Sequence, residues 1–207
     1  VPFCLKKCYY CNFFSVTDLS FKKNFISALL KEIDIYRGSG LFFDSVYFGG
    51  GTPSLLSPRE ISIILERIRR SLCISKDVET TMEANPGAVF ERNFRGYFDA
   101  GINRINIGVQ SFQDDNLKFL GRIHSSKKAR KAVESARKSD FGNIGIDLIY
   151  GLPGQTNKEW ELDLSQALSL NPEHLSCYML SYEKNAPLGK RSEEHTSELQ
   201  SLLIMSY

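Results

Sequence analysis

No stretch of the chain approaches the roughly 20 consecutive apolar residues that cross a bilayer. The longest apolar runs are only a few residues, as at Leu202 to Met205. No segment near the start has the charged-then-apolar pattern of a secretory signal. Excess charge of one sign is also lacking: Lys and Arg number 26, Asp and Glu 24, and the formal net charge is +2. So even a balance gives no footprint for a nucleic acid. Hydrophobic residues make up 42% and charged residues 24%, which excludes disorder as the main state. No repeat of fixed period and no low-complexity linker occurs before Lys190. The expectation is a cytoplasmic globular chain without a transmembrane segment. It is long enough to bury its own core as one large domain or one and a piece.

Cysteine is scarce but not scattered. Of the five, Cys4, Cys8 and Cys11 fall within eight positions, while Cys73 and Cys177 stand alone in apolar surroundings and read as buried packing. An odd number with this spacing is no secreted disulfide framework. Three thiolates on a short loop can hold a metal ion or an iron–sulfur cluster. A structural zinc needs a fourth ligand. The remaining candidates, Cys73, His124, His174, Cys177 and His195, are distant in sequence. Three local ligands suit a 4Fe–4S cluster with one iron left for a non-protein ligand. Zinc and unligated thiols stay open as alternatives.

Helical and strand patterns alternate along the chain. Helices are predicted around Phe25 to Tyr36, from Pro58 to Leu72, over Glu91 to Ala100, over Ser126 to Lys138 and over Lys158 to Leu170. Strands are predicted at Asp44 to Phe48, Glu79 to Ala84, Arg104 to Val109, Ile144 to Tyr150 and His174 to Leu180. This rhythm implies parallel strands with right-handed crossovers, an α/β fold. Val1-Pro2-Phe3 reads as the remnant of a truncated first strand, which makes six: a partial (β/α)6 TIM-like barrel.

In such barrels chemistry collects at the carboxyl ends of the strands. Here Gly49-Gly50-Gly51-Thr52 follows the first full strand, Glu83 closes the next, and Gln110 follows the third, after Gly108 and Val109. Asp147 interrupts the fourth. The glycines allow close backbone approach but form no phosphate loop, since no Gly-Lys-Ser/Thr follows. Each residue also has a bland reading, as a turn, a helix cap or a partner for loop amides. Their convergence on successive strand ends favours a shared site.

These residues carry a resemblance. Cys4-Leu5-Lys6-Lys7-Cys8-Tyr9-Tyr10-Cys11 resembles the C-x3-C-x-aromatic-C motif of radical S-adenosylmethionine (SAM) proteins. Gly49 to Ser54 is similar to their GGGTPS segment. Glu83 to Pro86, Gly108 to Phe112, Leu120 to His124 and Asp147 to Thr156 resemble one branch in sequence and order. That branch holds the oxygen-independent coproporphyrinogen III oxidases and the haem chaperones of the HemW type. The resemblance implies a radical SAM barrel over residues 1–190. Cys4, Cys8 and Cys11 would bind three irons, and SAM would chelate the fourth. A reduced cluster would cleave SAM to methionine and a 5′-deoxyadenosyl radical. Tyr10 would lie over the adenine, Gly50, Gly51 and Thr52 would meet the methionine end, and Glu83 would bind the ribose or amino acid part. Gln110, Arg122 and Asp147 would contact a second SAM or line the substrate side.

The oxidases carry a fourth cysteine two residues after the third, where this chain has Phe13. Cys11-Asn12-Phe13-Phe14-Ser15 looks more like the CDFxS of the haem chaperones. The expected function is therefore haem binding and delivery to a respiratory acceptor protein, with an electron donor as a further partner. The alternative is oxidative decarboxylation of coproporphyrinogen III. Residues 191–207 leave the family pattern and resemble a translated sequencing adaptor; they are expected to be foreign. The basic residues of Ser126 to Lys138 read as a solvated helix face. His124 reads as a loop hydrogen-bonding group rather than a haem ligand, and Trp160 as packing.

Overall fold

The computed structural model describes residues 1–193, with side chains to residue 190. Five strands form one parallel sheet in sequential order: β1 (Phe42–Phe48), β2 (Cys73–Ala84), β3 (Arg104–Gln110), β4 (Ile144–Tyr150) and β5 (His174–Met179). Helix α1 (Lys22–Ile35) precedes β1. Then α2 (Pro58–Ser71), α3 (Glu91–Ala100), α4 (Asp114–Phe119) with α5 (Ser126–Lys138), and α6 (Asn157–Leu168) fill the crossovers. Helix α7 (Pro187–Glu193) follows β5. Sequential parallel order is that of a barrel wall rather than a doubly wound sheet, as expected.

Local signals explain the element ends. Ser57 and Glu60 form a capping box at α2 with Pro58 in the first turn, and Thr156 and Glu159 repeat the box at α6. Gly101 stops α3 in the left-handed conformation. The core lies between sheet and helices: Met82, Ile105, Ile107, Ile146 and Leu148 pack with Ile61, Leu65, Phe94, Val133 and Phe141. Burying each such side chain contributes about 1.5–3 kcal/mol. The other face of β2 to β4 carries Glu83, Asn106 and Asp147, so the strands alternate apolar toward the helices and polar toward the barrel interior.

The first segment flanks the sheet but forms no sixth strand in it among the described residues, a correction to the expected six. The Val1 ammonium donates to Gly49 O at 2.8 Å, and the Gly51 amide donates to Val1 O at 2.7 Å. Phe3 makes an isolated parallel bridge to Val16.

Several expectations need correction. Strand β2 begins at Cys73 rather than Glu79, because its early residues pair with Phe42 and Phe43 before the register slips. Helix α4 had no counterpart in the sequence reading: six residues with one buried apolar side chain, Leu117, show no period. Cys73 and Cys177 are exposed, not buried. Cys73 is the first residue of β2, and Cys177 lies on β5, an edge strand of the described sheet. Helix α7 runs through Arg191, Ser192 and Glu193, and the rest of the expected foreign tail lies outside the described residues.

Candidate cofactor site at the strand ends

The carboxyl ends of the strands and the cysteine loop enclose a cleft of about 660 Å³. Its lining includes Cys4, Cys8, Cys11, Tyr10, Gly50, Gly51 and Thr52. Glu83, Gln110, Arg122 and Asp147 complete the wall. Every candidate site residue from the sequence therefore meets in one space. Phe13 stands on the rim, 70% exposed.

Among the described residues no group of His, Cys, Asp or Glu converges closely enough to hold a single metal ion. Yet the thiols are close enough for Cys8 and Cys4 to raise the Cys11 pKa, after burial as the main cause. Three neighbouring thiols suit a cluster in which each thiolate takes a different iron. Two sulfurs already have polar neighbours. The Thr52 hydroxyl donates to Cys4 Sγ at 3.4 Å, and Arg122 Nη1 donates to Cys8 Sγ at 3.5 Å. Such contacts are among those that tune a cluster's potential.

Arg122 is anchored by Nη2 donating to Gly108 O at 2.7 Å, while Nη1 also reaches the Tyr10 hydroxyl at 3.4 Å. Its Nε is buried with no hydrogen-bond partner among the described residues. Tyr47 donates to Glu83 Oε1 at 2.9 Å. Burial, followed by the nearby Asp147 charge, holds the Glu83 pKa above its ordinary value, with Tyr47 and the Gly50 amide partly offsetting this. Asn106 Nδ2 donates to Asp147 Oδ2 at 2.7 Å, and Asp147 Oδ1 is left without a partner in bonding geometry. Burial raises the Asp147 pKa. Unpartnered buried polar atoms facing a cleft are what a polar ligand completes. The donor set and the cleft fit a cluster with SAM.

The glycines serve a purpose the sequence did not reveal. A Cβ on Gly51 would lie 2.7 Å from Phe3 O, and one on Gly50 would lie 3.0 Å from Val1 O. Gly50 also has φ +112. Their missing side chains admit the first segment of the chain, while their exposed edge lines the cleft. Gly50→Val would thus disturb the cysteine loop's anchor as well as any ligand contact.

Sequence reasoning also missed Asn106 and Tyr47. For Asn106 a signal existed: Arg104 to Gln110 alternates strictly, and Asn106 falls on the same face as Gly108 and Gln110. Gly145 opposite it has no side chain because Asn106 Oδ1 occupies that space. Nothing in the sequence marks Tyr47 as the Glu83 partner. His124 is buried, with Nε2 3.1 Å from Val109 O and outside the cleft lining, as expected of a loop hydrogen bond. Trp160 packs on Tyr150 at 5.3 Å. The inner face of α5 buries Ala129, Ala132, Val133 and Ala136. Its Lys128 and Lys131 line a separate cavity of about 480 Å³ with Arg92 and Phe90. No helix among the described residues is long and apolar enough to cross a membrane.

The radical SAM superfamily model matches residues 1–167. The chain is 40% identical over 199 residues to the heme chaperone HemW of Haemophilus influenzae and 41% identical over 195 residues to that of Escherichia coli. Each alignment covers 92% of this chain and 52% of the relative, so the chain spans about half the length of the curated relatives it matches. Among solved structures, the coproporphyrinogen III oxidase HemN of Escherichia coli superposes with a TM-score of 0.82 at 25% identity. That superposition covers 98% of this chain and 50% of the oxidase. A family of 4Fe–4S and SAM proteins accounts for the three thiols, the polar strand ends and the barrel wall together: the chain belongs to the radical SAM superfamily.

Proposed function

We propose that this chain carries the cofactor-binding core of a haem chaperone, a protein that binds haem and passes it to a respiratory acceptor. The observation that carries the reading is Phe13. It stands on the rim of the cleft where the resembling oxidases have a fourth cysteine, and it offers no thiol. The higher identity to haem chaperones than to the oxidase points the same way.

Within that reading the residues divide the work. Cys4, Cys8 and Cys11 hold three irons and leave the fourth open. Tyr10 would hold the adenine, and the Gly50 to Thr52 edge the methionine end. Glu83 would accept from a ligand hydroxyl or ammonium; burial, not a missing partner, is the main reason its pKa is raised. Arg122 and Asp147 supply the charged rim, and Gln110 an amide. Bound cluster and SAM supply one-electron chemistry, and the protein contributes placement and exclusion of water. The cytoplasm is the expected compartment.

The second reading is oxidative decarboxylation of coproporphyrinogen III, favoured by the likeness to the oxidase barrel. One pair of assays separates them. Anaerobic incubation of the full-length protein with coproporphyrinogen III, SAM and a reductant should give no protoporphyrinogen IX. Titration with haem should give a saturable Soret band. Turnover to protoporphyrinogen IX without haem binding would overturn the proposal.

A further inference from the structure

Three non-glycine residues among those described have φ in the left-handed region: Gln110 at 70, Asp140 at 70 and Asn171 at 48. Asp140 and Asn171 follow helix ends, where Asp and Asn adopt this conformation readily. Gln110 has no such excuse. It ends β3 at the point where pairing with β4 slips between Gly108 and Gln110. It is 8% exposed and lines the cleft. Its amide folds back over Gly108, where a Cβ would lie 2.9 Å from Gln110 Nε2. A bulge of this kind re-aims a side chain. A glutamine in this conformation persists only where its surroundings over-determine it.

Two buried side chains from elsewhere grip the backbone on either side. Before Gln110, His124 Nε2 sits 3.1 Å from Val109 O. A carbonyl only accepts, so Nε2 carries the proton. After Gln110, Asp163 on α6 is fully buried and uses both oxygens. Oδ2 accepts from the Ser111 hydroxyl at 2.7 Å, and Oδ1 accepts from the Phe112 amide at 2.8 Å. The Ser111 oxygen itself accepts from the Gln113 amide at 3.1 Å and from Asn116 Nδ2 at 3.2 Å. Its lone pairs are thus engaged and its proton is committed to the carboxylate. Neither His124 nor Asp163 lines the cleft.

We propose that His124 and Asp163 are positioning residues that clamp the peptide on both sides of Gln110 and hold its bulge so that the amide faces bound SAM. The inference rests on the reading of Gln110 as a SAM contact. Asp163→Asn should break the clamp, because the new NH2 would meet a hydroxyl with no free lone pair. His124→Ala should remove the donor to Val109, and His124→Gln should restore one.

A double-mutant cycle tests this on the reconstituted full-length protein, read as the SAM dissociation constant by anaerobic equilibrium dialysis. With Gln110 present, Asp163→Asn and His124→Ala should each weaken SAM binding about tenfold, and His124→Gln by far less. In a Gln110→Ala background the same changes should cost under about twofold. Equal losses in both backgrounds would overturn the clamp, since damage unrelated to Gln110 would not depend on it. Gln110→Ala binding SAM like the parent would overturn the reading of Gln110 itself, a result distinct from failure of the clamp. Should Asp163→Asn fail to fold, Ser111→Ala removes one arm of the clamp and leaves the Phe112 amide on Asp163.

Discussion

Where α3 packs on the segment after β1, buried polar atoms are satisfied; along β3, β4 and the loops after them several are not. The fully buried Tyr97 hydroxyl reaches Leu56 O at 2.7 Å and Ser54 O at 3.1 Å. By contrast, Arg104 Nε, Asn106 Oδ1, Arg122 Nε, His124 Nδ1, Asp147 Oδ1 and Gln155 Nε2 are buried without a partner among the described residues. All six belong to β3, β4 or the loops that follow them. Each such atom costs about 1–3 kcal/mol when nothing meets it. Of these six residues Arg122 and Asp147 line the cleft. One region is thus spent on stability while part of the other faces the space a ligand would fill, and substitutions in the two should have opposite signatures.

The largest effect is expected at the cleft. Replacing Cys4, Cys8 or Cys11 by Ala should abolish a four-iron cluster on anaerobic reconstitution, measured as iron and sulfide per chain. Cys73→Ala, at an exposed thiol far along the sheet, should leave it intact. Equal loss from Cys73→Ala would remove the basis for treating the cleft as special. In the satisfied region, Phe94→Ala should lower unfolding free energy by about 3–5 kcal/mol, read from urea denaturation. Phe94 is fully buried and edge-on to Phe141 at 6.4 Å. In what remains folded, ligand affinity should be unchanged.

Much of this contrast was legible in the sequence. Caps and punctuation such as Ser57-Pro58-Arg59-Glu60 and Gly101 are local, and so α2, α3, α5 and β4 fall within a residue or so of their expected bounds. The site residues were legible because the barrel places strand ends together, so order along the chain became position in space. What stayed hidden depends on contacts between distant residues. The register slip that lengthens β2, the filling of the glycine space by Val1 to Phe3, and the grip of Asp163 on Ser111 and Phe112 all need partners far away in sequence. The exposure of Cys177 was misread for the same reason: apolar neighbours in sequence say nothing about an edge strand.

A change of pH sharpens the comparison next. Burial, followed by the Arg122 and Lys128 charges, lowers the His124 pKa to about 4 from an ordinary 6.5, with Val109 O and Asp114 opposing. The folded state therefore favours neutral His124. Its contribution is fully present above pH 6.5 and is lost as pH falls through 4, because the unfolded chain binds the proton first. The loss is on the order of 3 kcal/mol below both values. Parent and His124→Gln, which keeps the donor and does not titrate, should therefore lie close in urea midpoint at pH 7 and diverge toward pH 4, the parent falling below the variant. A constant difference would place the pH dependence elsewhere.

The smallest effect on stability is also the most discriminating, because its sign is unusual for a buried group. Burial holds the Asp147 pKa above its ordinary value, so at neutral pH the charge works against folding. Asp147→Asn keeps an oxygen to accept from Asn106 Nδ2, now at 2.7 Å from Oδ2, and removes the charge. Unfolding free energy at pH 7 should rise by about 0.5–2 kcal/mol, as expected where a site sacrifices stability for function. The gain should shrink as pH falls toward the ordinary carboxylate range, where the parent's Asp147 is protonated both folded and unfolded. SAM affinity should move the other way, by roughly tenfold, if Asp147 Oδ1 is an acceptor completed by ligand. Lower stability with unchanged affinity would instead make Asp147 a structural partner of Asn106, of the same kind as Tyr97 with its two carbonyls. The division between the two regions would then have to be redrawn at β4.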